Sequence, residues 1–355
     1  GVVNGSSHKK LLAIGNLKQP VHAWGEIYTG ISAKDYMDGT SNFYGVHSVT
    51  LYVDSVQVFN STTDKVLPDE NRMINGFTDY EELTRTRRLI MRSYKLPGNR
   101  LRLLHTNENR GAVTIDEERD YHFRYVLEDN FGNRRTYQFI VKGKRQDIPE
   151  YKPEANEMLY WNRTNVIQKP GMELVVPRYH VYENVPLRTD MRGDSSRIAF
   201  DYILDAGRTP IHSYCDLSIG LRHMPVADTT KYYIVQKAGK WRSSMGGKYA
   251  NGWIKTRVRS LGTFSVDVDT IAPQITPIGQ GGWRTSRNIR FRIKDMESGI
   301  GSYKVYIDGK FVLFGLKKGI LVIQDPEKVK KGVPHKLEVT VTDQCGNMAR
   351  KEYKF

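Results

Sequence analysis

Between His122 and Val141 apolar and polar residues alternate on both sides of Asp129-Asn130-Phe131-Gly132-Asn133, with Phe123, Tyr125 and Leu127 before that segment and Phe139 and Val141 after it. Alternation with a period of two gives a strand one apolar face. Asp and the Gly-Asn pair supply turn geometry, because Gly and Asn tolerate positive φ at little cost. The pattern predicts a β-hairpin. It recurs from Lys336 to Phe355, where Leu337, Val339 and Val341 precede Asp343-Gln344-Cys345-Gly346-Asn347, and Tyr353 and Phe355 follow it. The likeness extends upstream: Ile31-Ser32-Ala33-Lys34-Asp35 precedes Val49 to Asp54, as Phe291-Arg292-Ile293-Lys294-Asp295 precedes Tyr303 to Asp308. Two copies of one small all-β module therefore bracket a different middle.

The first copy is about forty residues longer than the second between its central strand and its hairpin, and this insert carries the helical pattern. Thr78-Asp79-Tyr80-Glu81 fits a capping box with Thr78 as cap, and the pattern continues through Leu83 and Arg87 to Met91, until Pro97-Gly98-Asn99 forces a turn. Strands are expected near 26–31, 49–58 and 100–105. From Glu157 to Asp269, short alternating runs recur between turn residues, at 173–177, 197–202, 217–222, 231–235, 253–258 and 261–268. That spacing predicts a second, unrelated sandwich. The expected organisation is all-β, as tandem β-sandwich domains: a leading strand and loop over 1–19, an Ig-like sandwich over 20–148 with a helical insertion near 60–100, a second sandwich over 149–271 and a C-terminal Ig-like domain over 272–355.

At 355 residues the chain is long enough for several cores, and 39% hydrophobic content with 11% aromatic residues argues against wholesale disorder. No apolar run approaches the length of a membrane span. The start at Gly1, with no signal-like apolar stretch, reads as an excised piece or a mature form. Cys215 and Cys345 fall in different expected domains, which argues against a disulfide between them. The net charge of +15 is uneven. Arg85, Arg87, Arg88, Arg92, Arg100 and Arg102 belong to the densest basic run and are the candidate contacts for an anionic partner; the plain reading is a solvated helix face with acidic neighbours.

The histidines form neither His-x-His nor His-Glu-x-x-His, and Cys-x-x-Cys, Gly-x-Ser-x-Gly and a phosphate loop are all missing. The missing motifs argue against a zinc hydrolase or nucleophile enzyme and make an enzyme the least favoured reading, and no catalytic, metal or cofactor residue is assigned. Acidic loop residues recur in both modules, Asp35, Asp38, Asp54 and Asp129 in the first and Asp295, Glu297, Asp308 and Asp343 in the last. They would hold Ca²⁺ if they gathered at one end of a sandwich; the plain alternative is that each caps a turn. Trp161, Trp241, Trp253, Trp283 and the 21 tyrosines are candidates for stacking on sugar rings where they are exposed; the plain reading of each is a core residue of a sandwich.

The stretches Ala23-Trp24-Gly25-Glu26, Lys34-Asp35-Tyr36-Met37-Asp38-Gly39-Thr40-Ser41-Asn42, Asp69-Glu70-Asn71-Arg72-Met73-Ile74-Asn75, Asp79-Tyr80-Glu81-Glu82, Asn109-Arg110-Gly111 and Asp116-Glu117-Glu118-Arg119 resemble the region after the catalytic domain in lysostaphin-like zinc metallopeptidases of the Gram-negative envelope. The resemblance covers nearly the whole chain, is most specific in the first module, and is looser from the Asp269-Thr270-x-Ala272-Pro273 junction onward. It implies a parent with a signal peptide and a peptidoglycan endopeptidase domain, whose zinc is held by His-x-x-x-Asp and His-x-His. This chain carries neither motif, so no catalytic residue transfers. The resulting expectation is a non-catalytic array, exported to the periplasm or envelope, that positions or regulates that peptidase domain and contacts peptidoglycan or another anionic polymer, without nucleic acid. The alternative is a stand-alone envelope adhesin or glycan-binding protein.

Overall fold

The computed structural model describes residues 1–13, 17–36, 43–194 and 196–355, with the side chains of Phe43 and Tyr44 left aside. Strands dominate, with a few short helical pieces, so the all-β expectation holds. The chain divides into two compact units, one of Gly1–Asn165, Val176–Leu187 and Ala206–Tyr214, the other of Val166–Val175, Arg188–Asp205 and Cys215–Phe355.

In the first unit the predicted hairpin is formed by Asp120–Glu128 and Arg134–Gly143. It sits inside an eight-stranded sheet in the order Val2–Val3, Val21–Ile27, Arg134–Gly143, Asp120–Glu128, Ser48–Val53, Val56–Thr62, Leu104–Thr106, with Val113–Ile115 also on Val21–Ile27. Alternate residues Val49, Leu51, Phe123, Tyr125 and Val141 enter one core, which Met73, Phe77 and Leu96 of the insert also join. Each fully buried side chain of this size contributes about 1.5–3 kcal/mol.

Several elements differ from the sequence expectation. The run 49–58 is a tight hairpin, because Asp54 and Ser55 take φ of 48° and 69°, the geometry that joins two strands in register. The strand expected at 100–105 occupies Leu104–Thr106. The insert's longer helix is Tyr80–Thr86, capped by Asp79, whose carboxylate accepts from Glu82 N–H; Arg87 then turns left-handed and ends it. Thr78 is not the cap: its N–H closes the preceding short helix on the Ile74 carbonyl, and its hydroxyl is buried without a partner among the described residues. The capping signal was thus one residue early.

The second unit holds most of the middle strands. Asp201–Asp205, Gly262–Val268, Tyr232–Ala238 and Trp241–Ser244 lie side by side, and Met172–Val176, Cys215–Gly220, Trp253–Val258 and Lys248–Ala250 form another sheet. The strand expected at 197–202 starts only at Asp201, since Arg197 closes a turn on the Asp194 carbonyl. After Asp269 come two four-stranded sheets: Gln274–Ile278, Arg290–Lys294, Ile320–Ile323, Phe314–Lys317, and Lys310–Phe311, Ile300–Ile307, Lys336–Asp343, Met348–Lys354. Their shared core contains Phe291, Leu321, Leu337, Val339 and Val341, closed by Trp283, whose indole N–H donates to the Ile278 carbonyl at 2.9 Å.

The internal repeat holds at the level of single hydrogen bonds. Asp54 and Asp308 both take left-handed φ, 48° and 50°. Each carboxylate accepts the backbone N–H at the start of its hairpin, His122 at 2.8 Å and Lys336 at 2.9 Å. The turn residues Asp129 and Asp343 likewise accept from the N–H and side-chain amide of Asn133 and Asn347.

Candidate functional site

The six arginines singled out for anion contact are not brought together. Arg85 pairs with buried Glu82 at 2.6 Å and Arg102 with buried Glu70 at 3.2 Å. Arg92 reaches the Gly76 carbonyl and lies near the Tyr94 ring, while Arg87 and Arg88 are exposed at the helix end. Arg100 joins a different group.

That group is assembled in the first unit from segments distant in sequence. The Arg100 and Arg178 guanidinium carbons lie 4.8 and 4.4 Å from the centre of the Tyr179 ring. The Trp161 indole is 5.9 Å from the same ring, and the Tyr179 N–H donates to the Trp161 carbonyl at 2.9 Å. His180 meets His212 edge-on, with ring centres 6.2 Å apart. Arg72 donates to the carbonyls of His212 and Ile211, and buried Tyr182 donates to the Arg72 carbonyl at 2.7 Å and lies 3.0 Å from His212 Nδ1. Burial lowers the His212 pKa, and the positive neighbours His180, Arg100 and Arg72 lower it further, with Asp69 opposing. The insert supports this arrangement through close backbone contact: Gly98 N–H donates to the Tyr182 carbonyl at 2.7 Å, and a Cβ at Gly98 would meet that oxygen at 2.9 Å. Both guanidinium groups lie over the Tyr179 ring, so the half-buried Trp161 indole is the flat surface beside these cations, a combination that can hold a ring-bearing, negatively charged molecule.

The acidic loop residues behave unequally. Among the described residues one group of His, Cys, Asp or Glu comes close enough together to share an ion, Asp269, Asp295 and Asp343, with carboxylate oxygens within 4.8 Å. Asp269, at the end of the last middle strand, was not among the sequence candidates. It is fully buried and accepts from Ser298 N–H and hydroxyl at 3.0 and 2.6 Å, and from Ile271 N–H. Asn347 donates to the Asp269 carbonyl at 3.0 Å and to Asp343 at 2.7 Å. Asp295 accepts from Glu297 and Gly299 N–H. Burial raises the Asp343 pKa against the Asn347 bonds, and Asp269 and Asp295 add to the rise. Three carboxylates can bind a hard cation, and here donors from the surrounding loops already serve them.

The other candidates cap or pair locally. Asp54 meets Arg119 at 2.7 Å, and Asp308 meets His335 at 2.6 Å. Asp129 is held below the usual carboxylate range, chiefly by the Asn133 side chain. Glu297 accepts from the Tyr233 hydroxyl, Asp35 lies in a two-residue strand paired with Phe43–Tyr44, and Asp38 falls outside the described residues, as do Met37 and Gly39 to Asn42 of the resemblance motif. Cys215 and Cys345 are both buried and are not joined in a disulfide. Burial pushes their thiols up to about 12 and about 11, which is the opposite of an activated nucleophile.

The fold defines a multi-module β-sandwich protein. Residues 156–269 match the family model of a Zu5-like domain. Among solved structures the chain is similar to a Ca²⁺-stabilized adhesin with which an Antarctic bacterium binds ice, at 10% identity, 93% coverage of each chain and a TM-score of 0.17. It is also similar to a chain from a 1.5-MDa bacterial ice-binding adhesin, at 9% identity over 88% of this chain and 86% of that one, TM-score 0.15. A third is SGBP-B of the Bacteroides ovatus mixed-linkage glucan utilization locus, bound to a heptasaccharide, at 11% identity over 87% of this chain and 59% of that one, TM-score 0.15. Likeness at this level says nothing about arrangement or ligand. No curated protein matches the chain. No helix among the described residues is long and apolar enough to cross a membrane.

Proposed function

We propose that this chain is a non-catalytic β-sandwich array of the bacterial envelope or cell surface that binds glycan through the Trp161–Tyr179 face of its first unit. The observation that carries this reading is the grouping of half-buried Trp161 with exposed Arg100 and Arg178, which are stacked on the Tyr179 ring, so that an indole and hydrogen-bond donors meet in one patch. Sugar rings offer apolar C–H faces to aromatics and hydroxyls to such donors. The net charge of +15 favours encounter with anionic envelope polymers. Co-sedimentation of the full chain with purified peptidoglycan and with insoluble capsular and plant polysaccharides tests it. Retention by at least one glycan, reduced in Trp161→Ala, is expected; no retention by any of them would overturn the reading.

A second reading is that the array is the accessory region of a lysostaphin-like peptidase, and the first-module motifs favour it. Glu70, Asp79 and Glu82 of those motifs are buried and organise the insert, so the resemblance concerns the packing of this module. The two readings are compatible if the array holds a wall-cleaving domain on its glycan. The gene upstream of Val2 decides: His-x-x-x-Asp and His-x-His encoded there support the second reading, and a signal peptide joined directly to Val2 removes it.

A further inference from the structure

We propose that the patch formed by Trp161, Arg100 and Arg178 is a site for an acidic saccharide, with the sugar ring against the Trp161 indole and its carboxylate held by the two arginines that Tyr179 orders. This rests on the glycan-binding reading and narrows it to one ligand class.

Tyr179 takes φ of 65°. A left-handed conformation costs a bulky non-glycine residue roughly 1–2 kcal/mol, and such residues gather where geometry serves a ligand. Three backbone bonds hold this one in place: Tyr179 N–H to the Trp161 carbonyl at 2.9 Å, His180 N–H to the Pro177 carbonyl at 3.1 Å, and His212 N–H to the His180 carbonyl at 2.8 Å. The turn presents Arg178, Tyr179 and His180 together, opposite Arg100 of the insert.

The charges around this ring lack counterparts. Arg100 and Arg178 are exposed, and neither has a carboxylate within ion-pair distance among the described residues, whereas Arg85 and Arg102 of the same basic run are both paired. Arg72, beside them, is bonded to neutral carbonyls. Burial and the charges of His180, Arg100 and Arg72 work against protonation of His212, and Asp69 opposes them there. A bound anion would relieve that repulsion. Stacking on Tyr179 also pre-orders the two guanidinium groups, so less side-chain entropy is lost when they close on a carboxylate.

The ligand class follows from the combination. A guanidinium pair matches the two oxygens of a carboxylate. The Trp161 indole beside them adds nothing for a bare inorganic anion but suits a pyranose face. A nucleic-acid strand would call for a longer groove tracking successive phosphates, and the cations here are confined to one patch.

Calorimetric titration of the full chain with trigalacturonate tests the proposal, with cellotriose, sodium sulfate and a short oligothymidylate as comparison probes. The expected result is binding of trigalacturonate that weakens about tenfold or more in Arg100→Gln and in Arg178→Gln. Unchanged melting of both variants would show that the loss is not unfolding, since both side chains are exposed. Trp161→Ala should weaken trigalacturonate but leave the weak response to sulfate intact. Cellotriose binding as tightly as trigalacturonate, with both arginine variants unaffected, would overturn the proposal while leaving the glycan reading standing. Preference for oligothymidylate, or sulfate equal to trigalacturonate, would overturn the proposal as well; silence toward every saccharide here and in co-sedimentation would remove both.

Discussion

Raising the pH should loosen the C-terminal module through His335. Its ring is buried, with Nδ1 at 2.6 Å from the Asp308 carboxylate and Nε2 at 2.7 Å from the Lys330 carbonyl. Both partners are acceptors, so both ring nitrogens must donate, which only the imidazolium can do. Burial by itself would lower the His335 pKa, but the Asp308 and Lys330 bonds together raise it above 6.5. A raised folded-state pKa means that this contribution is fully present below pH 6.5 and is lost as pH rises through the folded value. On deprotonation one of the two acceptors faces a lone pair. A hydrogen bond to a charged group is worth about 1.5–3 kcal/mol, and with Asp308 half-exposed about 1 kcal/mol is a reasonable net loss. For a unit of this size that is about 2–4 °C in melting temperature. The same histidine clamps the final strand, since its backbone exchanges two hydrogen bonds with Phe355 and its ring lies 5.3 Å from the Phe355 ring. Urea unfolding of wild type and His335→Gln from pH 5.5 to 9, with the His335 ring followed by NMR, would measure it. Wild type should lose its advantage over the variant as the His335 signal titrates. A constant difference between the two proteins, or one that grows with pH, would refute the reasoning.

Asn347→Ala should cost about 2 kcal/mol, because it strips donors from buried Asp269 and Asp343, whereas the equivalent Asn133→Ala should cost less than about 1 kcal/mol at its exposed turn; urea titration of both compares them. Asp79→Ala should remove a helix cap worth about 1–2 kcal/mol, while Thr78→Val should be neutral or stabilising because that hydroxyl has no partner, which thermal melting would distinguish. His212 acts with the opposite sign to His335. Its pKa is lowered by burial and by His180, Arg100 and Arg72, so the first unit should be fully stable above pH 6.5 and lose stability as pH falls toward the folded value, an effect weakened in His212→Gln and read by melting curves from pH 7.5 to 5.

The hairpins were legible because two independent signals agree in each, alternation of apolar residues and an Asp placed four residues before an Asn across a Gly turn. Even the turn chemistry of Asp54 and Asp308 was implicit in the register of the repeat. The cap was misplaced because Thr78-Asp79-Tyr80-Glu81-Glu82 contains two overlapping capping patterns. What selects Asp79 is the preceding short helix, which already uses the Thr78 N–H. Asp269 read as a junction residue; its meeting with Asp295 and Asp343 depends on how two loops fold beside the strand it ends. The aromatic and cationic face was the least legible. Arg100 was picked out for its basic neighbours in sequence, yet its neighbours in space are Tyr179 and Arg178, from a loop nearly eighty positions away. Arg178-Tyr179-His180 after a strand ending in Pro177 was a usable local signal, but nothing in the sequence announced the left-handed Tyr179.

The most direct measurement is an NMR titration of the full chain with trigalacturonate, following the indole N–H of Trp161 assigned through Trp161→Phe. The account predicts a saturable shift of that resonance, with companion shifts at His180 and His212, and no comparable change in Trp241 or Trp283. Saturable shifts confined to other tryptophans, or an unmoved Trp161 under conditions where the glycan is bound, would contradict it.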